Sequence, residues 1–179
     1  MKRTLISRGL VVVSACLALI GLSAAPVSAT GTQHRRQTRH HLVLATGTWS
    51  DPGATITGIA PHGSDYLVDF AGSTSTAGDL IGQSTYAMHV LYDPVTNVSS
   101  GSVDETFSAT LPNRGSGTFT LAEHVSVQGD GSLLVVGYVV SGTGIFRGAN
   151  GYDVFTGTTD PSGTGPSAGS YVMVFDLAG

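Results

Sequence analysis

Short stretches of alternating apolar and polar residues, separated by turn-forming residues, fill the chain from Leu42 onward. Almost none of this region shows the 3.6-residue apolar period of an amphipathic helix. Alternation with a period of two is typical of strands that bury one face. We therefore predict an all-β domain with candidate strands at 41–49, 54–60, 65–72, 80–92, 101–111, 117–127, 132–140, 152–158 and 170–177.

The segments between the candidate strands are rich in Gly, Pro, Asp, Asn and Ser, as in "SDPG", "DPVTN" and "QGDG". These residues supply the positive φ angles and the preset φ of proline that tight turns require. Many strands joined by short turns favour a closed, meandering barrel over a sandwich, because closure removes exposed strand edges. The predicted fold is an eight-stranded antiparallel β-barrel, with nine strands as the alternative.

The first residues have a different pattern from the rest of the chain. A basic start, "MKRTLISR", is followed by the apolar run "GLVVVSACLALIGL" and by "VSA", which ends at Ala29. This order is typical of a secretory signal peptide, and the run is shorter than the roughly 20 apolar residues that span a bilayer. We predict a signal peptide over residues 1–29 and a secreted protein without a membrane span. The alternative is a lipoprotein anchored through Cys16 in "VSAC", although the apolar residues after Cys16 argue against it.

Residues 30–41, "TGTQHRRQTRHH", contain three arginines and three histidines but no apolar side chain. Such a segment cannot bury enough apolar surface to fold by itself. We therefore predict a disordered basic and histidine-rich tail over 30–41 and a barrel domain over 42–179. Contacts of the arginines with an anionic envelope polymer, or capture of a metal by the histidines, stay open as alternatives.

Composition excludes several classes of function. Removal of residues 1–29 takes away the only cysteine and three of the eight basic residues, and leaves all twelve acidic ones. The remaining chain has no disulfide framework and no thiolate ligand. Its acidic balance argues against nucleic acid as a partner, since such binding depends on Lys and Arg. The histidines lack the spacing of a zinc site, and there is no G-x-S-x-G motif. We expect no metal and no cofactor.

The stretch "GTGIFRGANGYDVF", residues 142–155, is rich in glycine and leads into an alternating strand. A dinucleotide-binding loop would be followed by a helix, whereas β-branched and aromatic residues follow here. We interpret the stretch as a tight corner between two strands, with the phenylalanine in the core and the glycines allowing close backbone approach. The structural residues of this corner are Gly142, Gly144, Phe146, Gly148 and Gly151.

The same stretch resembles the late strand pair of the allene oxide cyclase barrel family, in which a G-x-G-I-F-x-G-x-x-G turn precedes an alternating strand. The resemblance extends through "AGDLIGQSTYAMHVLYD", "GSGTFTL" and "GSYVMVFDL", and so covers residues 45–177. The order of segments also resembles plant dirigent proteins and, still more, a bacterial family of unknown function with the same barrel. The resemblance implies a lipocalin-like eight-stranded barrel with an apolar interior, and a homotrimer or other homo-oligomer as in the plant relatives.

The departures from these families bear on activity. Allene oxide cyclases steer the substrate with a glutamate on an early strand, whereas "ATGTWSDPG" has none and Asp51 is the nearest acid. Dirigent proteins typically have an arginine before the last glycine of the turn, where this chain has Asn150, with Arg147 three positions earlier. These residues therefore do not support assigning either plant activity to this chain.

Alternation suggests a candidate site on the barrel wall. Glu105 shares a face with Phe107, so if that face is the interior, Glu105 is a carboxyl on an apolar wall whose pKa burial would raise. The alternative, a solvated Glu105 at the rim, stays open because alternation does not decide which face points inward. We predict that Tyr86, Phe107 and Tyr138 line a pocket for an apolar small molecule and that Glu105 is a candidate catalytic acid or base.

Three functions from different classes remain. The first is a secreted barrel that binds a small apolar molecule in its interior. The second is a dirigent-like or cyclase-like isomerase that acts by orienting its substrate. The third is a cell-envelope interaction module whose barrel is only a scaffold, without a small-molecule site. A fully packed barrel would favour the third, and a wide apolar cavity with an isolated acid would favour the second.

Overall fold

The computed structural model describes residues 40–160 and 162–178, so the predicted signal peptide and residues 30–39 of the predicted tail lie outside the described residues. Ten strands form one antiparallel sheet. They are β1 (His40–Asp51), β2 (Thr55–His62), β3 (Asp65–Gly72), β4 (Ser75–Gly78), β5 (Ile81–Asp93), β6 (Val98–Leu111), β7 (Gly115–Val127), β8 (Ser132–Gly142), β9 (Asn150–Thr158) and β10 (Ser167–Ala178). None of the helical segments within 40–160 and 162–178 has the length and hydropathy of a membrane span.

Eight of the strands close into a ring of hydrogen bonds, in the order β5, β4, β1, β10, β9, β8, β7 and β6, which pairs again with β5. The other two, β2 and β3, form a hairpin on the same edge of β5 as β4. The hairpin pairs with the second half of β5, from Gly72 opposite Tyr86 to Tyr66 opposite Tyr92. The prediction of an all-β, eight-stranded antiparallel barrel is therefore confirmed, and the hairpin is an addition to it.

Two details of the strands differ from the sequence prediction. The four-residue strand β4, "STAG", was missed because it has no large apolar side chain to mark it. His40 and His41, which we assigned to the tail, are the first two residues of β1 and pair with Ala178 and Leu177 of β10. Backbone pairing holds both residues, and the exposed side chain of His40 also forms a hydrogen bond with Asp176.

One half of the barrel interior, which we call the closed end, is filled by aromatic rings. The ring centroid of Phe119 lies 5.0 Å from that of Phe107, 4.7 Å from that of Phe146 and 5.2 Å from that of Phe175. All four side chains are almost fully buried. Stacked and tilted rings at these distances pack favourably beyond the burial of their area. No room for a ligand is left among them.

The glycine-rich stretch 142–155 forms the corner that delivers Phe146 to the closed end. A short 3₁₀ helix, Gly144–Phe146, stands between β8 and β9. Gly144 has a φ of +57°, and a side chain there would meet the backbone of the β7 residues Ser116 and Gly117. Glycine is thus required at this position both for its conformation and for the close approach of two strands.

The other half of the interior, which we call the open end, has smaller apolar residues at the inward positions. Its wall is built mainly from valines and one phenylalanine, namely Val68, Phe70, Val90, Val103, Val125 and Val127. Because valine fills less volume than phenylalanine, the same alternation of strands leaves space here. This space is the candidate site.

Candidate functional site

A cavity of about 260 Å³ occupies the open end of the barrel. Trp49, Met88 and Phe155 line it together with the valines of the wall. It reaches the surface beside β2, where the lining residues Ile56 and Ile59 are 45% and 64% exposed. A small molecule therefore has a route from solvent into the barrel.

Four carboxyl groups point into this half of the barrel. Asp51, Glu105, Glu123 and Asp153 are each at most 7% exposed, and all but Asp153 line the cavity. Their position follows from strand alternation, because side chains at alternate positions point to one face of a sheet. Glu105, for example, lies between the inward residues Val103 and Phe107 on β6.

Two of the carboxyls accept hydrogen bonds from neighbouring side chains. The hydroxyl of Ser84 donates to Oε1 of Glu105. The phenol of Tyr86 donates to Oδ2 of Asp51 over 2.6 Å, and the backbone N–H of Gly53 donates to Oδ1 of Asp51 over 2.6 Å. Burial raises the pKa of Tyr86, and the hydrogen bond to Asp51 raises it further, so this phenol keeps its proton and remains a donor.

The other two carboxyls face each other across a glycine. Glu123 of β7 lies opposite Gly137 of β8, which lies opposite Asp153 of β9. A Cβ atom at position 137 would lie 2.9 Å from Oδ1 of Asp153 and would also collide with Cγ of Glu123. The glycine thus gives the two acidic side chains the room to approach each other above the sheet.

No N–H or O–H group of the described residues outside the carboxyl cluster donates a hydrogen bond to Glu123 or Asp153, although all four oxygens are buried. The partners within reach are carboxyls, since Glu123 interacts with both Glu105 and Asp153. Two ionised carboxylates cannot share such a site without strong repulsion. The arrangement therefore requires that a proton be held between them, as in other coupled carboxyl pairs.

Burial is the main cause of the pKa shifts in this cluster. It raises the pKa of Glu105, with the hydrogen bond from Ser84 acting in the opposite direction. It raises the pKa of Glu123, which the charges of Glu105 and Asp153 raise further. Burial also raises the pKa of Asp153, while the hydrogen bond with Glu123 acts against the shift. The cluster therefore holds protons at pH values where exposed carboxyls have lost them.

No basic side chain compensates these acids from within the cavity, whose lining residues include no Lys, Arg or His. Among residues 40–160 and 162–178, the contacts between a basic and an acidic side chain are the hydrogen bonds of His40 with Asp176 and of His89 with Asp69, all on exposed side chains. In the same ranges, no group of three or more His, Cys, Asp and Glu side chains has an arrangement that could hold a metal ion. The cluster is thus a set of carboxyls without a built-in counter-charge.

The structure brings together only part of the predicted site. Tyr86 and Glu105 both line the cavity. Phe107 is fully buried but belongs to the closed end, where it stacks on Phe119. Tyr138 is 52% exposed on the outer face of β8, where it pairs with Tyr152 of β9.

The prediction that Tyr138 lies inside the barrel is therefore wrong. Both faces of β8 are apolar, so its alternation does not indicate which face is the interior. The inward face carries Leu133, Val135 and Val139, and the outward face carries Val136 and Tyr138. The larger aromatic side chain is on the outside, contrary to our assumption.

Sequence reasoning missed Asp153 and the role of Asp51. The signal for Asp153 was present, because it alternates with Phe155 on a strand that begins at the glycine-rich corner. Asp51 was noted only as the acid nearest to an expected glutamate, yet it is bonded to Tyr86 in the cavity wall. The contact joins β1 to β5, which are far apart in sequence, and no local pattern marks it.

Two solved structures are similar to this barrel. The pterocarpan synthase dirigent protein GePTS1 has a TM-score of 0.60 at 13% sequence identity, and the match covers 87% of this chain and 100% of that chain. The pterocarpan synthase dirigent protein PsPTS1 has a TM-score of 0.59 at 12% identity, over 80% of this chain and 99% of that chain. No family model and no curated protein sequence matches the chain. At such low identity the likeness concerns the fold alone, and the chain has a dirigent-like barrel fold.

Proposed function

We propose that the protein binds a small, predominantly apolar molecule inside its barrel and orients it with the carboxyl cluster. The observation that carries the proposal is the cavity of about 260 Å³ at the open end, with apolar walls and a few polar groups aimed into it. Small-molecule sites have this composition in general. An eight-stranded barrel is also of a size that can hold one small ligand.

The volume limits the size of the ligand. An apolar cavity of about 150 Å³ in another protein is large enough to hold benzene, and drug-sized ligands occupy pockets of roughly 300 to 1,000 Å³. The cavity here lies between these values at about 260 Å³. It therefore suits a molecule with one or two rings, or a short branched chain.

The polar groups lie at the inner part of the cavity, next to the closed end, which favours a single orientation of the ligand. On β6, Glu105 lies between Phe107 of the closed end and Val103 of the open end. On β7, Glu123 is followed by Val125, which lies further towards the open end. A ligand with one polar end and one apolar end is held with its polar end at the carboxyls.

A second candidate function is isomerisation or cyclisation by orientation of a reactive substrate, and one observation favours it. Glu105 is 5% exposed and holds its proton because burial raises its pKa. A carboxylic acid of this kind can give a proton to a bound molecule, and an acid with a pKa raised towards neutrality is suited to general acid catalysis. The pterocarpan synthases of similar fold are enzymes by name, and transfer of such an activity to this chain remains part of the proposal.

The scaffold alternative, an envelope interaction module without a small-molecule site, is less well supported. Such a barrel would have side chains filling both halves of the interior, as the phenylalanines do at the closed end. The cavity and its buried acids have a cost in stability that a pure scaffold does not require. We therefore place this alternative behind the two that use the cavity.

Secretion remains a proposal that rests on the pattern of residues 1–29. Expression of the full chain in a secreting host should give a protein that begins at Thr30 in the medium. N-terminal sequencing of the secreted protein checks this, and a protein retained in the membrane through Cys16 would contradict it.

Native mass spectrometry of the protein purified from its culture medium tests the proposed function. We expect a complex with a small molecule in addition to the free chain. The same spectrum gives the mass of the assembly, which checks the predicted homotrimer or other homo-oligomer.

The only tryptophan of the chain, Trp49, lines the cavity and reports on binding by its fluorescence. Cyclohexylmethanol, which does not absorb at the wavelengths of tryptophan, should change that fluorescence in a saturable way. The Val103→Phe variant, which fills the cavity, should abolish the change, and the matched variant Val136→Phe on the outer face of β8 should keep it. Equal responses of both variants, or no saturable response of the wild type, would overturn the proposal.

A further inference from the structure

We infer that the cavity selects a ligand with a basic nitrogen, that is, an apolar amine whose protonated head lies among the carboxyl groups of Asp51, Glu105 and Glu123. This inference rests on the proposed function of the barrel as a small-molecule binder and narrows the chemical class of the molecule. Three features of the structure carry it.

The first feature is that the acids of the cavity have no counter-charge. Asp51, Glu105 and Glu123 line the same cavity, and no Lys, Arg or His lines it with them. A buried carboxylate is costly unless it is paired with a cation and hydrogen-bonded. A ligand that supplies the cation allows a carboxyl of the cluster to ionise without this cost, which a neutral ligand does not do.

The second feature is the set of free acceptors on Glu123. Its side chain is 7% exposed and lines the cavity, and no N–H or O–H of the described residues outside the carboxyl cluster donates to either of its oxygens. Glu105 and Asp51, by contrast, already accept hydrogen bonds from Ser84 and Tyr86. An ammonium group has three donors and no acceptor, so it can supply donors to the oxygens of Glu123 that no donor outside the cluster reaches.

The third feature is the distribution of charge between the two ends of the barrel. Asp93, Asp130 and Asp160 lie in the turns at the open end, where they accept hydrogen bonds from the backbone N–H groups of Val95, Ser132 and Ser162. Hydrogen bonds in the turns lower the pKa of each of these aspartates, so they stay ionised at neutral pH. These residues hold their turns, and they also place negative charge at the open end of the barrel.

The two arginines within the described residues, Arg114 and Arg147, lie at the opposite end, in the β6–β7 turn and beside the 3₁₀ helix. A cleft bordered by one sign of charge concentrates ligands of the opposite sign. Asp79 and Asp176 lie at the same end as these arginines, whereas no arginine of the described residues offsets the aspartates at the open end, which therefore favours the approach of cations.

Binding of an amine changes the proton count of the cluster in a defined way. The five groups concerned are Asp51 on β1, Tyr86 on β5, Glu105 on β6, Glu123 on β7 and Asp153 on β9. When an ammonium ion enters, a carboxyl of the cluster releases its proton to the solvent and becomes the carboxylate that pairs with the cation. A neutral ligand accepts a hydrogen bond from the protonated carboxyl and releases no proton.

Isothermal titration calorimetry with three probes of matched shape tests the inference: cyclohexylmethylamine, cyclohexylmethanol and cyclohexanecarboxylate. At pH 7 we expect the Kd of the amine to be at least about tenfold lower than that of the alcohol. The carboxylate should bind most weakly. Repeating the amine titration in two buffers with different ionisation enthalpies should show proton release, and the alcohol should show none.

Variants identify the residues that are responsible for the preference for the amine. Glu105→Gln and Glu123→Gln keep the shape of the side chains, and each should reduce the preference for the amine over the alcohol. Asp104→Asn removes a negative charge at the neighbouring position of β6 but on its exposed outer face, and it should keep the preference. Circular dichroism verifies that each variant is folded before it is titrated.

The outcomes separate this inference from the proposed function. Equal affinity for the amine and the alcohol, or preference for the amine without loss in either glutamine variant, overturns the amine inference and leaves the barrel as a binder of apolar molecules. Absence of binding by all three probes overturns both. Preference for the carboxylate would also contradict the amine inference, because it would require a counter-charge in the cavity.

Discussion

The closed and open ends of this barrel are built from the same strands with opposite results. On β6 the inward residues change from Phe107, Ala109 and Leu111 at the closed end to Val103 and Glu105 at the open end. The phenylalanine rings of the closed end lie about 5 Å apart and leave no space, whereas the valines and acids of the open end surround a cavity of about 260 Å³.

The two ends show that the direction of the side chains and their size determine different properties of the interior. Alternation decides which side chains point inward, while the volume and polarity of those side chains decide whether the interior is packed or hollow. The closed end contributes stability through dense packing. The open end has buried acids and empty space, both of which cost stability, and this cost is typical of a functional site.

The largest expected effect is the loss of a ring from the closed end. Phe146→Ala should lower the free energy of unfolding by about 3 to 5 kcal/mol, because it leaves a hole among packed aromatic rings. Val103→Ala at the open end should cost only about 1 kcal/mol, since its side chain faces a cavity that already exists. Urea unfolding at pH 5 compares the two. Similar losses in both variants would contradict the contrast between a packed and a hollow half.

The next effect concerns the glycine between the acids. Gly137→Ala should destabilise the protein by about 2 to 3 kcal/mol, because overpacking displaces neighbouring groups. The added Cβ would lie 2.7 Å from the carbonyl oxygen of Ala122 and 2.9 Å from Asp153 Oδ1. Gly148→Ala is the control, because a side chain at this position meets no neighbouring atom and only the φ of +70° is unfavourable for alanine.

By thermal unfolding, we expect the control to lose about 1 kcal/mol of stability. A Gly137→Ala variant as stable as the control would show that this close approach is absent in solution.

A change of pH should have a smaller effect on the stability of the protein. Burial raises the pKa of Glu123 above its value in the unfolded chain, so the folded protein binds a proton that the unfolded chain loses above about pH 4.3. The stability from this proton is complete at low pH and is lost as the pH rises towards the pKa in the folded state. The free energy of unfolding should therefore fall between pH 5 and pH 8.

The Glu123→Gln variant sharpens this prediction. In this variant the free energy of unfolding should decrease less with rising pH than in the wild type. At pH 8 it should exceed that of the wild type by about 1 to 2 kcal/mol, because glutamine has no carboxyl that must hold a proton when buried. The exposed Asp104→Asn variant should follow the wild type. A Glu123→Gln variant with the same pH dependence as the wild type would refute the assignment. Chemical denaturation at several pH values provides the measurement.

The smallest effect is expected from the hydrogen bond that joins β1 to β5. Tyr86→Phe should cost about 1 kcal/mol, because Oδ2 of Asp51 loses its buried donor. Tyr92→Phe removes a hydrogen bond to Asn97 that is exposed to solvent, and we expect almost no change from it. Thermal unfolding should show a larger loss of stability for Tyr86→Phe than for Tyr92→Phe. An equal loss of stability in both variants would indicate that the hydrogen bond between Tyr86 and Asp51 does not form.

The sequence alone predicted the strands of this barrel better than its site. Alternation and turn residues located nine of the ten strands, and only β4 was missed because its four residues carry no large apolar side chain. The site was harder to predict because it depends on which face of each strand points inward. On β8 both faces are apolar, which led to the wrong placement of Tyr138.

The cluster itself depends on contacts between distant strands. Glu123 and Asp153 meet only because the register of β7, β8 and β9 places Gly137 between them. A glycine in a strand signals a close approach of some group, but it does not indicate which one. Ring closure sets this register, and ring closure is a property of the whole sheet.

A carboxyl-resolved ¹³C NMR titration tests most directly the central claim that the open end holds buried acids that share protons. The wild type and the Glu105→Gln, Glu123→Gln and Asp153→Asn variants assign the resonances of the cluster. The account predicts that Glu105 and Glu123 titrate well above the ordinary value of about 4.3 and that removal of one acid shifts the titration of its neighbours. Independent titration of all three near their ordinary values would contradict it, and would mean that the acids are solvated and that the cavity has no proton-sharing cluster.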